Sequence, residues 1–197
     1  MNEEKWTENV ILADADYVDN VAFDLIVNFE RMLGRRIPQA DMAQWAECVA
    51  LDGGLREGEH EVMVILIHQS QNKRMKNFTP GNYNEELNGK AFRGRLGEFA
   101  ITAVQTEEMV SMTDLLLDTL HVICQQKEVK RLMVIVPEEM MDGVRQTLRR
   151  LDSDDRRTTV FTMQPTQGGS FRQELLGYSL MAALGITAKE IDSKLNK

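Results

Sequence analysis

Val10-Ile11-Leu12-Ala13-Asp14-Ala15-Asp16-Tyr17-Val18 decides the fold. Its apolar run stops at two closely spaced carboxylates, as a buried strand does where it enters a turn. The period then changes. Val18, Ala22, Leu25, Phe29, Met32 and Leu33 recur at steps of three and four, one face of a helix that Gly34 closes. The reading is strand, acidic turn, helix.

Outward from this unit the alternation repeats. Pro38 predicts the opening of a second helix that runs to about Leu51, with Met42, Trp45 and Val49 on one side. Val62 to Ile67 is a continuous apolar run, expected of a strand covered on both faces, and ends at His68-Gln69-Ser70. Residues 71 to 95 read as a loop with a short helix near Tyr83 to Ala91, followed by a strand from Phe99 to Val104. Ser111 and Asp114 read as a cap before a helix containing Leu116, Leu120, Ile123 and Cys124. Leu132 to Val136 is a strand, Glu138 to Leu151 a helix, and Thr159 to Met163 another strand. Ser170-x-x-Gln173 after Gly168-Gly169 reads as a capping box, and Thr187-x-x-Glu190 opens a last short helix.

The expected fold is α/β: a three-layer, Rossmann-like, mainly parallel sheet of about five strands with helices on both faces. Residues 1–197 read as one domain, with 168–197 a C-terminal helical extension.

Composition narrows the function classes. The 197 residues are 43% hydrophobic and 27% charged, ordinary for a globular domain. A net charge of -8 excludes a wholly basic nucleic-acid-binding module. The charge is uneven, because the first 70 residues carry 5 basic and 14 acidic side chains while residues 71 to 97 carry 6 and 2. No apolar run approaches the ~20 residues of a membrane span, so no membrane partner is expected. The polar, acidic start from Met1 to Trp6 is unlike a signal peptide, and the expected location is the cytoplasm. Cys48 and Cys124 form no CxxC, which points away from zinc and disulfides and toward buried thiols.

In parallel sheets, ligands bind outside the carboxyl ends of the strands. Three of the five expected strand ends carry paired carboxylates: Asp14 with Asp16, Glu107 with Glu108, and Glu138 with Glu139. Hard oxygen ligands gathered on one edge suit Mg²⁺ or Mn²⁺, which could activate water or stabilise a phosphoryl group. The same residues also serve as helix caps and complement the helix dipole. His68 and Ser70 suggest a nucleophile and base with no third partner. Between Lys73 and Arg95, basic residues interleave with Phe78, Tyr83 and Phe92, a mixture able to hold single-stranded RNA or to form a solvated, aromatic-anchored connection. The segment from Phe171 to Leu184 is apolar on more than one face, which fits core packing or a homodimer through the C-terminal helix.

The first motif, Val10 to Tyr17 followed by a helix, resembles that of the NYN branch of PIN-like ribonucleases. Thr113-Asp114 in a helix and Leu132 to Glu139 resemble that family's helix Asp and its acidic strand end. The resemblance implies catalytic roles for Asp14, Asp16, Asp114 and Glu138, and metal ligation by Asp14, Asp114, Glu138 and Glu139. Tyr17 stands where that family carries Asn, and Pro137-Glu138-Glu139 replaces its Ser-Gly-Asp-x-Asp-Phe.

Asp14-x-Asp16-x-Val18 is also similar to the nucleophile motif of haloacid-dehalogenase-like phosphohydrolases. That likeness implies Asp14 as nucleophile, Asp16 as acid and base, Ser70 and Lys90 as phosphate-site residues, and Glu138 and Glu139 as magnesium ligands. The chain as a whole resembles a conserved bacterial family with no assigned activity. A divergent PIN-like protein that binds or cleaves nucleic acid, a phosphohydrolase, and a non-catalytic homo-oligomer are the resulting expectations.

Overall fold

The computed structural model describes residues 5–197. Strand β1 (Asn9–Asp14) is buried along its length and passes directly into helix α1 (Ala15–Leu33). Asp14 caps this helix by accepting from the Tyr17 N–H at 3.0 Å. Gly34, at φ 66°, ends it in the left-handed conformation that a residue with no Cβ adopts without strain.

The second helix starts later than Pro38 suggests. Asp41 provides the cap, accepting from the Gln44 N–H at 2.8 Å, and α2 runs over Met42–Asp52. The residues just before it form β2 (Ala40–Asp41), which pairs with β4 (Phe78–Thr79) in a separate two-stranded ribbon.

Strand β3 (His60–His68) follows α2, and a π-helical turn at Tyr83–Leu87 follows β4. Then come β5 (Ala91–Gly94), β6 (Gly97–Gln105), α3 (Met112–Cys124) and β7 (Arg131–Ile135). A 3-10 turn at Glu138–Met140 leads into α4 (Met141–Leu151). The chain closes with β8 (Arg157–Thr162), β9 (Arg172–Leu175), α5 (Leu176–Ala183) and α6 (Ala188–Leu195).

The main sheet has seven strands in the order β5-β6-β3-β1-β7-β8-β9, against about five expected. Two edge strands make the difference. β5 pairs antiparallel with β6, and β9 pairs parallel with β8. Neither carries an apolar run, because an edge strand has one neighbour and need not be apolar on both faces. β9 also corrects the capping-box reading of Ser170 and Gln173. Gln173 lies in a strand, and its side-chain oxygen accepts from the Thr166 N–H at 3.1 Å, tying down the preceding loop. The segment 168–197 therefore contributes a strand as well as two helices.

Side chains alternate across the sheet and separate two apolar layers. Ile11, Ala13, Val64, Leu66, Met133 and Ile135 pack with α1, α2 and α5. Val10, Leu12, Ile65, Ile67, Leu132 and Val134 pack with α3 and α4. Helices thus cover both faces. Among the described residues, no helix is long and apolar enough to cross a membrane.

Candidate functional site

β1 lies at the centre of the sheet, with β3 and β6 on one side and β7, β8 and β9 on the other. Counted in chain order, the six parallel strands lie third, second, first, fourth, fifth, sixth. In this doubly wound order the connections diverge at the carboxyl ends of the first and fourth strands, here β1 and β7, and open a crevice there.

Asp14 is the last residue of β1 and is only 5% exposed. Burial, and then the charges of Asp16 and Glu139, push its carboxyl up to about 6, while the Tyr17 N–H bond works in the other direction. Tyr17, one turn into α1, faces the same group of charges. Burial raises its hydroxyl pKa, and so do Glu139, Asp14 and Glu138. Beside it lies a cavity of about 200 Å³ lined by Tyr17, Val136, Glu138, Thr162, Gln164 and Thr166 among others. No lysine or arginine lines it.

Asp16 points to other work. Its Oδ2 accepts from the Gln69 N–H at 2.7 Å and its Oδ1 from the Tyr83 hydroxyl at 3.3 Å. Tyr83 stacks on His68, with ring centroids 3.7 Å apart. Asp19, nearly one turn further along α1, accepts from the Lys76 and Asn77 N–H groups at 3.0 and 2.8 Å. Together Asp16 and Asp19 fasten the connection after β3 to the start of α1.

Of the other sequence candidates, Glu138 and Glu139 reach the crevice and Asp114 is not among its lining residues. Asp114 is exposed on the first turn of α3, where its N–H donates to the Ser111 hydroxyl at 3.0 Å. Glu138 and Glu139 are exposed in the turn after β7. Among the described residues, no three His, Cys, Asp or Glu side chains come together as a metal-holding group. His68 donates through Nδ1 to the Gln69 carbonyl at 3.0 Å, and the Ser70 N–H donates to Thr106 Oγ1 at 3.2 Å, so each has a partner other than the other. Phe78 and Tyr83 are buried, and Phe92 stacks on Phe99 at 4.8 Å, so these rings anchor the 73–95 segment to the core. α1 runs unbroken through residues 19–24, where the phosphohydrolase family carries a hairpin flap.

Residues 3–191 match a family of unknown function, DUF6621. The chain belongs to that family. No curated protein and no solved structure matches it.

The DUF6621 match spans all nine strands, so every group around the crevice falls within it. Four of those groups, Tyr17, Thr162, Gln164 and Thr166, carry no sequence signal as site residues. They meet because the strand order sets β8 two places from β1, and spacing along the chain does not reveal that.

Proposed function

We propose that this DUF6621 protein is a divergent Rossmann-like, PIN-like domain that binds a cation in the crevice at the carboxyl ends of β1, β7 and β8, and binds without turnover. One observation carries this reading. The negative charges of Asp14, Glu138 and Glu139 all act on the Tyr17 hydroxyl at the cavity wall, and no basic side chain lines the cavity to neutralise them. A small organic ammonium compound suits a cavity of about 200 Å³. Mg²⁺ or Mn²⁺ shares the positive charge and would use the carboxylates through its water shell. Of the four carboxylate ligands implied by the nuclease resemblance, Asp114 does not line the cavity, so no hydrolytic step is assigned to the set. The occupied oxygens of Asp16 and the buried, capping Asp14 favour binding over nucleophilic attack. A single-stranded RNA partner would have to bind without the anchored aromatics Phe78 and Tyr83.

Calorimetric titration with spermidine and, separately, with MnCl₂ tests the reading. Asp14→Asn and Glu138→Gln/Glu139→Gln are each expected to weaken the ligand that binds by about tenfold or more. Affinity should fall as pH drops through about 6, where Asp14 takes up a proton. Failure of both ligands to bind at millimolar concentration, or affinity unchanged by the variants, overturns it. Metal-dependent RNA or phosphomonoester hydrolysis lost in Asp14→Asn would instead establish an enzyme.

A second reading concerns the C-terminal helices. Tyr178 is 67% exposed on α5, beside an apolar groove formed with Met181, Ile186 and Ile191, a surface that fits a second copy of the chain. Light scattering should then give a dimer that Tyr178→Glu converts to a monomer. A monomeric parent at high concentration refutes this.

A further inference from the structure

At the edge of the sheet opposite the crevice, arginines gather at the starts of the last three strands. Arg131, Arg157 and Arg172 are the first residues of β7, β8 and β9, three adjacent parallel strands. Arg131 and Arg157 are direct partners in register, and Arg172 is opposite Thr159, two residues along from Arg157. Side chains alternate along a strand, so all three arginines lie on the face that packs against α2 and α5. Arg56, in the loop after α2, adds a fourth. Its charge acts on Arg131 together with those of Arg157 and Arg172.

The arrangement holds these cations together without neutralising them. Arg131 Nη1 donates to the Gly53 carbonyl at 2.7 Å, and Arg56 Nη1 to the Leu55 carbonyl at 3.0 Å. The end of α2 therefore holds two guanidinium groups by backbone oxygens, where the helix dipole is negative. Among the described residues, none of the four arginines is in an ion pair. Glu174, two residues along β9 from Arg172 and on the same face, stands near Asp52 and adds to burial in raising the Asp52 carboxyl.

Gly54 supplies a second, independent observation. Its φ is +97°, and a Cβ built on it would come within 2.6 Å of Arg131 Nη1 and 4.0 Å of Arg172 Nη1. The Arg131 guanidinium therefore lies directly over Gly54 with that of Arg172 next to it, and a side chain at position 54 would collide with the first. Four cations crowd this edge in a chain of net charge -8. Packing does not require them, since Arg56, Arg157 and Arg172 are exposed. Guanidinium forks match the geometry of phosphate oxygens and donate several charge-assisted hydrogen bonds to them.

We propose that Arg131, Arg157 and Arg172 at the amino-terminal ends of β7, β8 and β9, with Arg56 from the loop after α2, form a binding site for a phosphate-bearing anion. The site is separate from the acidic crevice and stands whether or not the crevice binds a cation. A terminal phosphate on a small molecule and the backbone of a nucleic acid share this chemistry. The chain's net charge of -8 disfavours the long nucleic-acid backbone and favours the small anion.

The test is titration of the full chain with pyrophosphate and with a short single-stranded oligouridylate at pH 7.5. Pyrophosphate is expected to bind, and Arg157→Gln/Arg172→Gln, both exposed positions, to weaken it at least tenfold with the fold intact by circular dichroism. Arg149→Gln/Arg150→Gln, at the exposed end of α4, is expected to leave binding unchanged. Absence of pyrophosphate binding at millimolar concentration, equal loss in the two double variants, or binding of the oligonucleotide alone overturns the proposal.

Discussion

Asp14 is at once the N-cap of α1 and a buried carboxyl facing Asp16 and Glu139. The two roles respond differently to substitution. Asparagine caps a helix about as well as aspartate but cannot ionise. The folded-state value of about 6 lies above the ordinary 3.8, so between these values the native state holds more proton than the unfolded chain. The stability from this group is complete below the lower value and is lost as pH rises through the upper one. Asp14→Asn should therefore gain on the parent by up to about 3 kcal/mol at pH 8 relative to pH 3.5, read from urea denaturation. Equal stability differences at the two pH values would refute this. Asp52, also held up to about 6 by burial and by Glu174, adds a slope of the same sign, so the variant's curve flattens only in part. The position of Asp14 at the end of an apolar strand is legible in the sequence, and its burial follows from that strand's central place. Nothing in the sequence signals that Asp16, two residues on, is occupied by Gln69 and Tyr83, because both partners come from a connection more than fifty residues away.

At the scale of elements, two of the three capping patterns read from spacing form as expected, and the third, Ser170 with Gln173, gives way to a strand. Ser111 accepts from the Asp114 N–H and Thr187 forms a capping box with Glu190, as their spacing predicted. Ser111→Ala should cost about 1 kcal/mol, measured by thermal or urea unfolding. The tie at the base of β8 is of another kind. Arg156 is 7% exposed, donates to the carbonyls of Cys124, Gln126 and Val129, and pairs with Asp152 at 3.1 Å. Removing it leaves a largely buried carboxylate and several carbonyls without that partner. Arg156→Met should destabilise by about 3–5 kcal/mol, and a loss below 1 kcal/mol would contradict the network. No periodicity in the sequence marks Arg156, because its partners lie in the loop after α3 and at the end of α4. The edge strands β5 and β9 were missed for a related reason, since pairing through the backbone leaves little trace in side-chain type.

For the whole molecule, the C-terminal segment belongs to the main core. Leu176, Leu180 and Ala183 of α5 share a cluster with Trp45 and Val49 of α2, and β9 completes the sheet. Deleting residues 172–197 should abolish cooperative thermal unfolding, and a sharp transition near the parent's would show that the segment is an appendage. Its sequence alone left core packing and a subunit contact open, because an apolar helix face looks the same in either place. The sequence by itself determined the alternation of strand and helix, the acidic cap where β1 meets α1 and the family, since these rest on local period, capping chemistry and residue identity. Only the tertiary structure decided which strand ends meet. The spatial order of the strands brought Tyr17, Glu138 and Thr162 around one crevice, left Asp114 outside its lining and aligned three arginines at the opposite edge. That order is set by how distant segments bury their apolar faces together, and the spacing of residues along the chain does not encode it visibly.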